Sequence, residues 1–236
     1  MLATLGLSRA VIVQPSVYGF DNRATLTAIK LAGEKFRGVT VIDPATISDS
    51  ELDHMHHIGV RGVRINQAYD QTLDMDYLHK VVEKIQHLNW HLQLFVNLSR
   101  FPDFRRQLSA LPVDVVIDHM GFMGCAGGVS NRHFQDLLAL LETGKCWVKL
   151  SGAYRLSTQG VVPYSDVAPF AEALVNANSD RCVWGTDWPH PHLDIPVPND
   201  GDLLDLLSSW VPDKSLRTKI LVDNPAQLYD FSPKEI

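Results

Sequence analysis

Cys182-Val183-Trp184-Gly185-Thr186-Asp187-Trp188-Pro189-His190-Pro191 begins as an apolar run and ends in a carboxylate, an aromatic and two prolines. The run reads as a buried strand. Pro189 cannot donate to a sheet ladder, so the strand should stop by Trp188. Asp187 then stands at the carboxyl end of a strand covered on both faces. A carboxylate there is costly unless it is paired, bound to a cation or used in chemistry. The plainer alternative is that it caps the next turn. In parallel α/β proteins, ligands bind at the carboxyl ends of the strands.

The same unit recurs along the chain. Apolar runs at residues 10–14, 38–44, 60–66, 91–97, 113–119 and 146–152 read as further strands. Helical patterns fall between them, at about residues 22–35, from Ser48, at 76–89, from Pro102 to about 111, at 131–143 and at 166–176. Asp21 or Asn22 stands where the N-terminal cap of the first helix belongs, Ser48 starts the second, and Gly144 stands where a C-terminal cap belongs. Residues 201–229 read as two helices broken at Pro212. Short apolar strands alternating with helices imply a parallel sheet with right-handed crossovers. An open doubly wound sheet and a closed eight-stranded barrel both fit. No Gly-x-Gly-x-x-Gly follows the first strand, which weakens a nucleotide-binding reading.

The 236 residues carry a net charge of −6 with no basic stripe, so nucleic acid is not an expected partner. No apolar run approaches the length of a membrane span, and no membrane partner is expected. Three dispersed cysteines make neither a disulfide framework nor a C-x-x-C metal site, and with no signal-peptide pattern at the start the reading is a cytoplasmic protein. No low-complexity linker interrupts residues 1–236, so a single domain is expected.

Polar groups collect at the strand ends: Ser16 and Tyr18, Asp43, Arg64 and Asn66, Asn97, His119, Arg155 and Asp187. Each has a plain account. Asp43 precedes a proline, Asn97 can cap the following turn, Arg64 can be a salt-bridged wall residue and His119 a structural histidine. What argues for a site is convergence, because a barrel brings all these ends to one mouth. A histidine, an aspartate and two arginines there suit a small anionic substrate. His54, His56 and His57 read as a solvated surface cluster. His190 and His192 form a His-x-His, but the interleaved prolines disfavour chelation; His190 is read as a substrate contact.

Val116-Ile117-Asp118-His119-Met120-Gly121, Val148-Lys149-Leu150-Ser151-Gly152-Ala153-Tyr154-Arg155 and Trp184-Gly185-Thr186-Asp187-Trp188-Pro189-His190 resemble the amidohydrolase-related metal-dependent hydrolases, within them the 2-pyrone-4,6-dicarboxylate lactonase type. Residues 13–19 and 224–229 are similar to that branch as well. The resemblance implies a (β/α)8 TIM barrel that hydrolyses an ester, lactone or amide ring bond. It places a general base on Asp187, the mid-barrel histidine on His119 and carboxylate-binding arginines on Arg155 and Arg64. It leaves two options for a cofactor: none, or a divalent metal such as zinc, for which His119 and Asp187 would be the ligands.

The family's first strand bears a His-x-His, and nothing like it precedes Ala10. The expectation is therefore an incomplete barrel of seven strands, with exposed edges that could pair copies into a homo-oligomer. The leading reading is a hydrolase of a small carboxylated lactone. Asp187 would activate water, His119 would support the oxyanion, and Arg64, Arg155, Asn66, Ser16, Tyr18 and His190 would contact substrate. The alternatives are a zinc-dependent decarboxylase or amidohydrolase of the same superfamily, and a non-catalytic remnant that binds a ligand or partner.

Overall fold

Seven parallel strands pair in strict sequence order in the computed structural model, which describes residues 1–68 and 73–232. They are β1 (Ala10–Val13), β2 (Phe36–Thr40), β3 (Val60–Gln67), β4 (His91–Val96), β5 (Val115–Ile117), β6 (Cys146–Leu150) and β7 (Cys182–Trp184). The helices in chain order are α1 (Arg23–Ala32), α2 (Asp49–Ile58), α3 (Met75–Ile85), α4 (Phe104–Ser109), α5 (Arg132–Glu142), α6 (Ala153–Leu156), α7 (Ala168–Asn178), α8 (Asp200–Trp210), α9 (Lys214–Thr218) and α10 (Asn224–Leu228). The architecture is an α/β TIM barrel, incomplete, with seven strands. No helix among the described residues is long and apolar enough to cross a membrane.

Local chemistry sets the element ends. Ser48 and Glu51 form a reciprocal capping box at the start of α2, satisfying two backbone donors that a helix end leaves unpaired. Asp74 and Asn131 cap α3 and α5 through their side chains. Asn22 behaves differently from the sequence expectation. It occupies the N-cap position of α1 but makes no cap bond; its amide instead brackets Val41, accepting from N and donating to O. It thus satisfies the backbone just past the end of β2, which stops at Thr40 and not at residue 44. Asp43 is a turn former, accepting from the Ala45 amide and the Thr46 hydroxyl. α6 was not visible in the sequence, being too short to show a helical period. Beyond Pro212 the chain runs through α9, a π-helical turn at Lys219–Asp223 and α10.

The outer face of the sheet and the helices form one large apolar core. The inner face closes on the C-terminal segment. Val39, Val11 and Val13 pack with Tyr229 and Phe231 at one side of the curl. Val116, Trp147 and Val183 pack together at the other, and Leu228 reaches both groups. Arg37 and Arg61 fasten this segment by donating to the Asp230 carbonyl and carboxylate respectively.

Above that apolar floor the inner face turns polar. Asp118 follows β5 and is fully buried. It receives Lys149 Nζ of β6 at 3.0 Å and Gln93 Nε2 of β4 at 2.9 Å, with Arg64 Nε of β3 at 3.6 Å. Burial alone would raise the Asp118 carboxyl, but the Lys149 and Arg64 charges outweigh it and hold its pKa at about 2. The unfolded carboxyl titrates near 3.8, so the stabilisation is whole above about pH 4 and is lost as the pH falls toward 2. Replacing Asp118 with Ala leaves Lys149 buried without a counter-charge. Denaturant unfolding at neutral pH should show a loss of roughly 3–5 kcal/mol, and most of that difference should vanish near pH 2.

Candidate active site

Three successive strand ends supply the densest polar cluster. The residues after β5 give His119, those after β6 give Ser151 and, on α6, Tyr154 and Arg155, and those after β7 give Asp187. The backbone turns sharply at each exit. His119, Gly152 and Asp187 all adopt left-handed conformations, with φ of 50°, 65° and 65°. At Gly152 a side chain could not fit, because a Cβ there would lie 2.7 Å from His119 Nδ1. The glycine leaves room for the imidazole to approach the backbone closely.

Asp187 is the centre of the cluster. Its Oδ2 accepts from Arg155 Nε and from the Tyr154 hydroxyl, each at 2.5 Å. Its Oδ1 lies 3.6 Å from His119 Nε2. His119 Nδ1 meets Ser151 Oγ at 2.9 Å, and Phe95 packs edge-on against the ring. Burial lowers the His119 pKa from its ordinary value, with Asp187 and Asp118 opposing the shift, so the ring is disposed to be neutral. Burial raises the Tyr154 phenol, and the Asp187 charge adds to the effect. Arg155 also donates Nη2 to the Pro191 carbonyl at 3.0 Å.

A second group lies on the other side of the curl. Arg64 reaches over the Phe95 ring and donates to the Gln14 carbonyl at 3.4 Å. Its buried Nε makes no hydrogen bond, facing Asp118 Oδ2 at 3.6 Å, an ion-pair distance. Asn66 donates to Ser16 Oγ at 2.5 Å. Ser16 and Tyr18 share the exposed turn after β1. The two groups are joined through Phe95, which touches both Arg64 and His119, and through Asp118.

Of the expected substrate contacts, His190 departs from the sequence reading. His190 was expected to contact substrate, yet its side chain is only 1% exposed. Its Nδ1 faces the Tyr154 hydroxyl at 2.9 Å and its Nε2 faces Asp200 Oδ1 at 3.2 Å, so both ring nitrogens are engaged by protein. Sequence reasoning also missed Tyr154, Ser151, Asp118, Lys149 and Asp200. Lys149 did leave a signal, as the only charge in the β6 run Cys-Trp-Val-Lys-Leu. His56, placed on the surface, is partly buried and accepts from Trp90 Nε1.

For a metal, His119 and Asp187 offer two donors, and Asp187 Oδ2 already receives an arginine and a phenol. Among the described residues no three His, Cys, Asp or Glu side chains stand together as a metal site. These residues do not by themselves fit a zinc centre.

The family model for amidohydrolases matches residues 1–231. The chain belongs to the amidohydrolase family. It is 40% identical over 236 residues to a 2-pyrone-4,6-dicarboxylate hydrolase of Comamonas testosteroni, covering 95% of this chain and 77% of that one. It is 36% identical to a 4-sulfomuconolactone hydrolase of Rhizobium radiobacter, covering 97% of this chain and 78% of the other. Among solved structures, a putative 2-pyrone-4,6-dicarboxylic acid hydrolase from Pseudomonas putida superposes with a TM-score of 0.88 at 32% identity, over 99% of this chain and 87% of that one. The protein is therefore an enzyme of the amidohydrolase superfamily with a TIM-barrel fold.

Gly152→Ala tests the packing of this amidohydrolase site. The added methyl must push the His119 ring out of place, and a misplacement of about 1 Å should cost roughly 10- to 100-fold in kcat/KM. Steady-state kinetics alongside circular dichroism would read this as lost turnover in a folded protein.

Proposed function

We propose that this amidohydrolase opens a small lactone bearing carboxylate or similar anionic groups, with Asp187 as the general base. The observation that carries the reading is the division of labour on Asp187. Arg155 and Tyr154 hold Oδ2, leaving Oδ1 directed at His119. The lactone-acting relatives named above support the substrate class.

In this mechanism Oδ1 takes a proton from water, and the oxygen left behind attacks the lactone carbonyl carbon. A C–O bond forms and the carbonyl π pair moves onto its oxygen. With Ser151 donating to Nδ1, His119 keeps its hydrogen on Nε2 and donates to that oxyanion; one such donor is worth about 3 kcal/mol. Collapse restores the carbonyl and breaks the ring C–O bond. Asp187 returns its proton to the departing oxygen. Arg155 cannot take that proton, because a guanidinium is already fully protonated and has no acceptor site.

Substrate carboxylates meet the guanidinium of Arg64, which lies over the Phe95 ring with its Nε turned to Asp118. Arg155 contributes what its fork has left after Asp187 and Pro191. Asn66, Ser16 and Tyr18 line the approach. The zinc-dependent alternative finds no third ligand among the described residues, and no step here runs through a metal. The reading takes residues 1–236 as one domain working in a reducing cytoplasm, in keeping with three buried free cysteines. It includes self-association through the unpaired edges of β1 and β7, which light scattering tests.

Asp187→Asn should cut kcat on a dicarboxylated pyrone lactone by at least about 100-fold with KM little changed. Arg64→Met should raise KM for that lactone by about tenfold or more while sparing an uncharged lactone. Near-normal turnover by Asp187→Asn would overturn the assignment of the base. A wild-type protein that binds the lactone without opening it would favour the non-catalytic reading.

A further inference from the structure

His91 opens β4 with its imidazole inside the curl, where the hydrolytic mechanism does not use it. It is 2% exposed. Gly62 of β3 is its partner in register, and a Cβ there would stand 2.4 Å from His91 Nε2, so the ring takes the space that the glycine leaves. Tyr229 of the C-terminal segment closes on the ring edge-to-face, with centroids 5.3 Å apart and planes at 79°. Neither Nδ1 nor Nε2 has a hydrogen-bond partner among the described residues.

A neutral imidazole held in this way packs as an aromatic plate. A protonated one would present two donors with no acceptor, and would add a charge to an enclosed core. The charged groups that face it are Lys149 from β6, which repels, and Asp118 from the β5 exit, which attracts but is already engaged by Lys149 and Gln93. Gly62 and Tyr229 pack against it without charge. Burial and then Lys149 push the ring from its ordinary 6.5 down to about 3, with Asp118 opposing. Packing over His91 is therefore unopposed above about pH 6.5, and it weakens as the pH falls from there toward 3.

Water has two routes to the ring. Parting β3 from β4 breaks a ladder paired at six positions, from Gly62 to Gln67. Lifting Tyr229 disturbs less. With Val39 and Phe231 it forms a small cluster separate from the large core, and it lies just past α10, a helix of five residues. Segments with few buried apolar contacts open first. We propose that His91 is an acid-sensitive catch, whose protonation releases residues 225–231 from the barrel interior while the sheet stays paired. Release would withdraw Leu228 from Val116, Trp147 and Val183, the apolar floor beneath the site. It would also free the Asp230 contacts to Arg37 and Arg61.

Amide hydrogen exchange of the whole chain, corrected for the intrinsic effect of pH, tests this without any substrate. Between pH 7 and pH 4.5, above the range of ordinary carboxylates, protection of residues 225–231 in the wild type should fall by about 50-fold. Protection of β4 and α5 should hold over the same range. His91→Gln and His91→Phe replace the ring with non-titrating side chains of different size. In either one the fall should shrink to less than about threefold. A flat wild-type profile would overturn the proposal, and so would an equal loss in α5, which would make the response global. A folded variant that keeps the wild-type fall would overturn it as well. The two wild-type outcomes decide the matter even if neither variant folds.

Discussion

Charge sealed inside a curled sheet is the constraint on which the rest depends. Asp118 sits where β5 ends, and Lys149 reaches it from β6 while Gln93 reaches it from β4. Neither ion has water to fall back on, so the strands that carry them are obliged to keep their relative positions. That obligation passes directly to the site. Asp118 is bonded through the chain to His119, and Lys149 is two residues from Ser151, the partner of His119 Nδ1. The pair therefore fixes where the imidazole and its hydroxyl partner stand, without touching a substrate.

From this frame the exits of β5, β6 and β7 converge on Asp187. Its two oxygens have different neighbours: a guanidinium and a phenol at one, an imidazole at the other. A general base needs one oxygen held and one available, and the asymmetry supplies that. The cationic character of the opposite wall comes from Arg64, which shares Asp118 with the closer Lys149. The inner face is thus organised in depth, with apolar packing around Leu228 and Tyr229 below, compensated charge in the middle and reactive groups at the rim.

The strands were legible in the sequence because each is a short apolar run, and their parallel pairing followed from the helices between them. Their polar interior was harder to see. Strands buried on both faces mute the alternation that tells inside from outside. Even so, His91-Leu-Gln93-Leu-Phe95 carries a polar-apolar alternation, and Lys149 is a lone charge in its strand; both mark the inward face. Asp187, His119 and Arg155 could be named from their places at strand ends, and the fold brings these three together. Tyr154 and Asp200 could not. Their partners lie 33 and 10 residues away in the chain, and only the folded loops between strand and helix create those contacts. Asn22 illustrates the opposite limit: its residue type suggested a helix cap, and a neighbouring strand end claimed its amide first.

His119, Asp187 and His190 all hold positive φ angles that side-chain-bearing residues avoid, at about 1–2 kcal/mol apiece. Glycine or asparagine would be more comfortable at each. A laboratory evolution campaign rewarding heat resistance alone would therefore be drawn toward these positions. It would yield a hardier barrel with a silent mouth, and the sites it chose to relax would map the machinery from the other side.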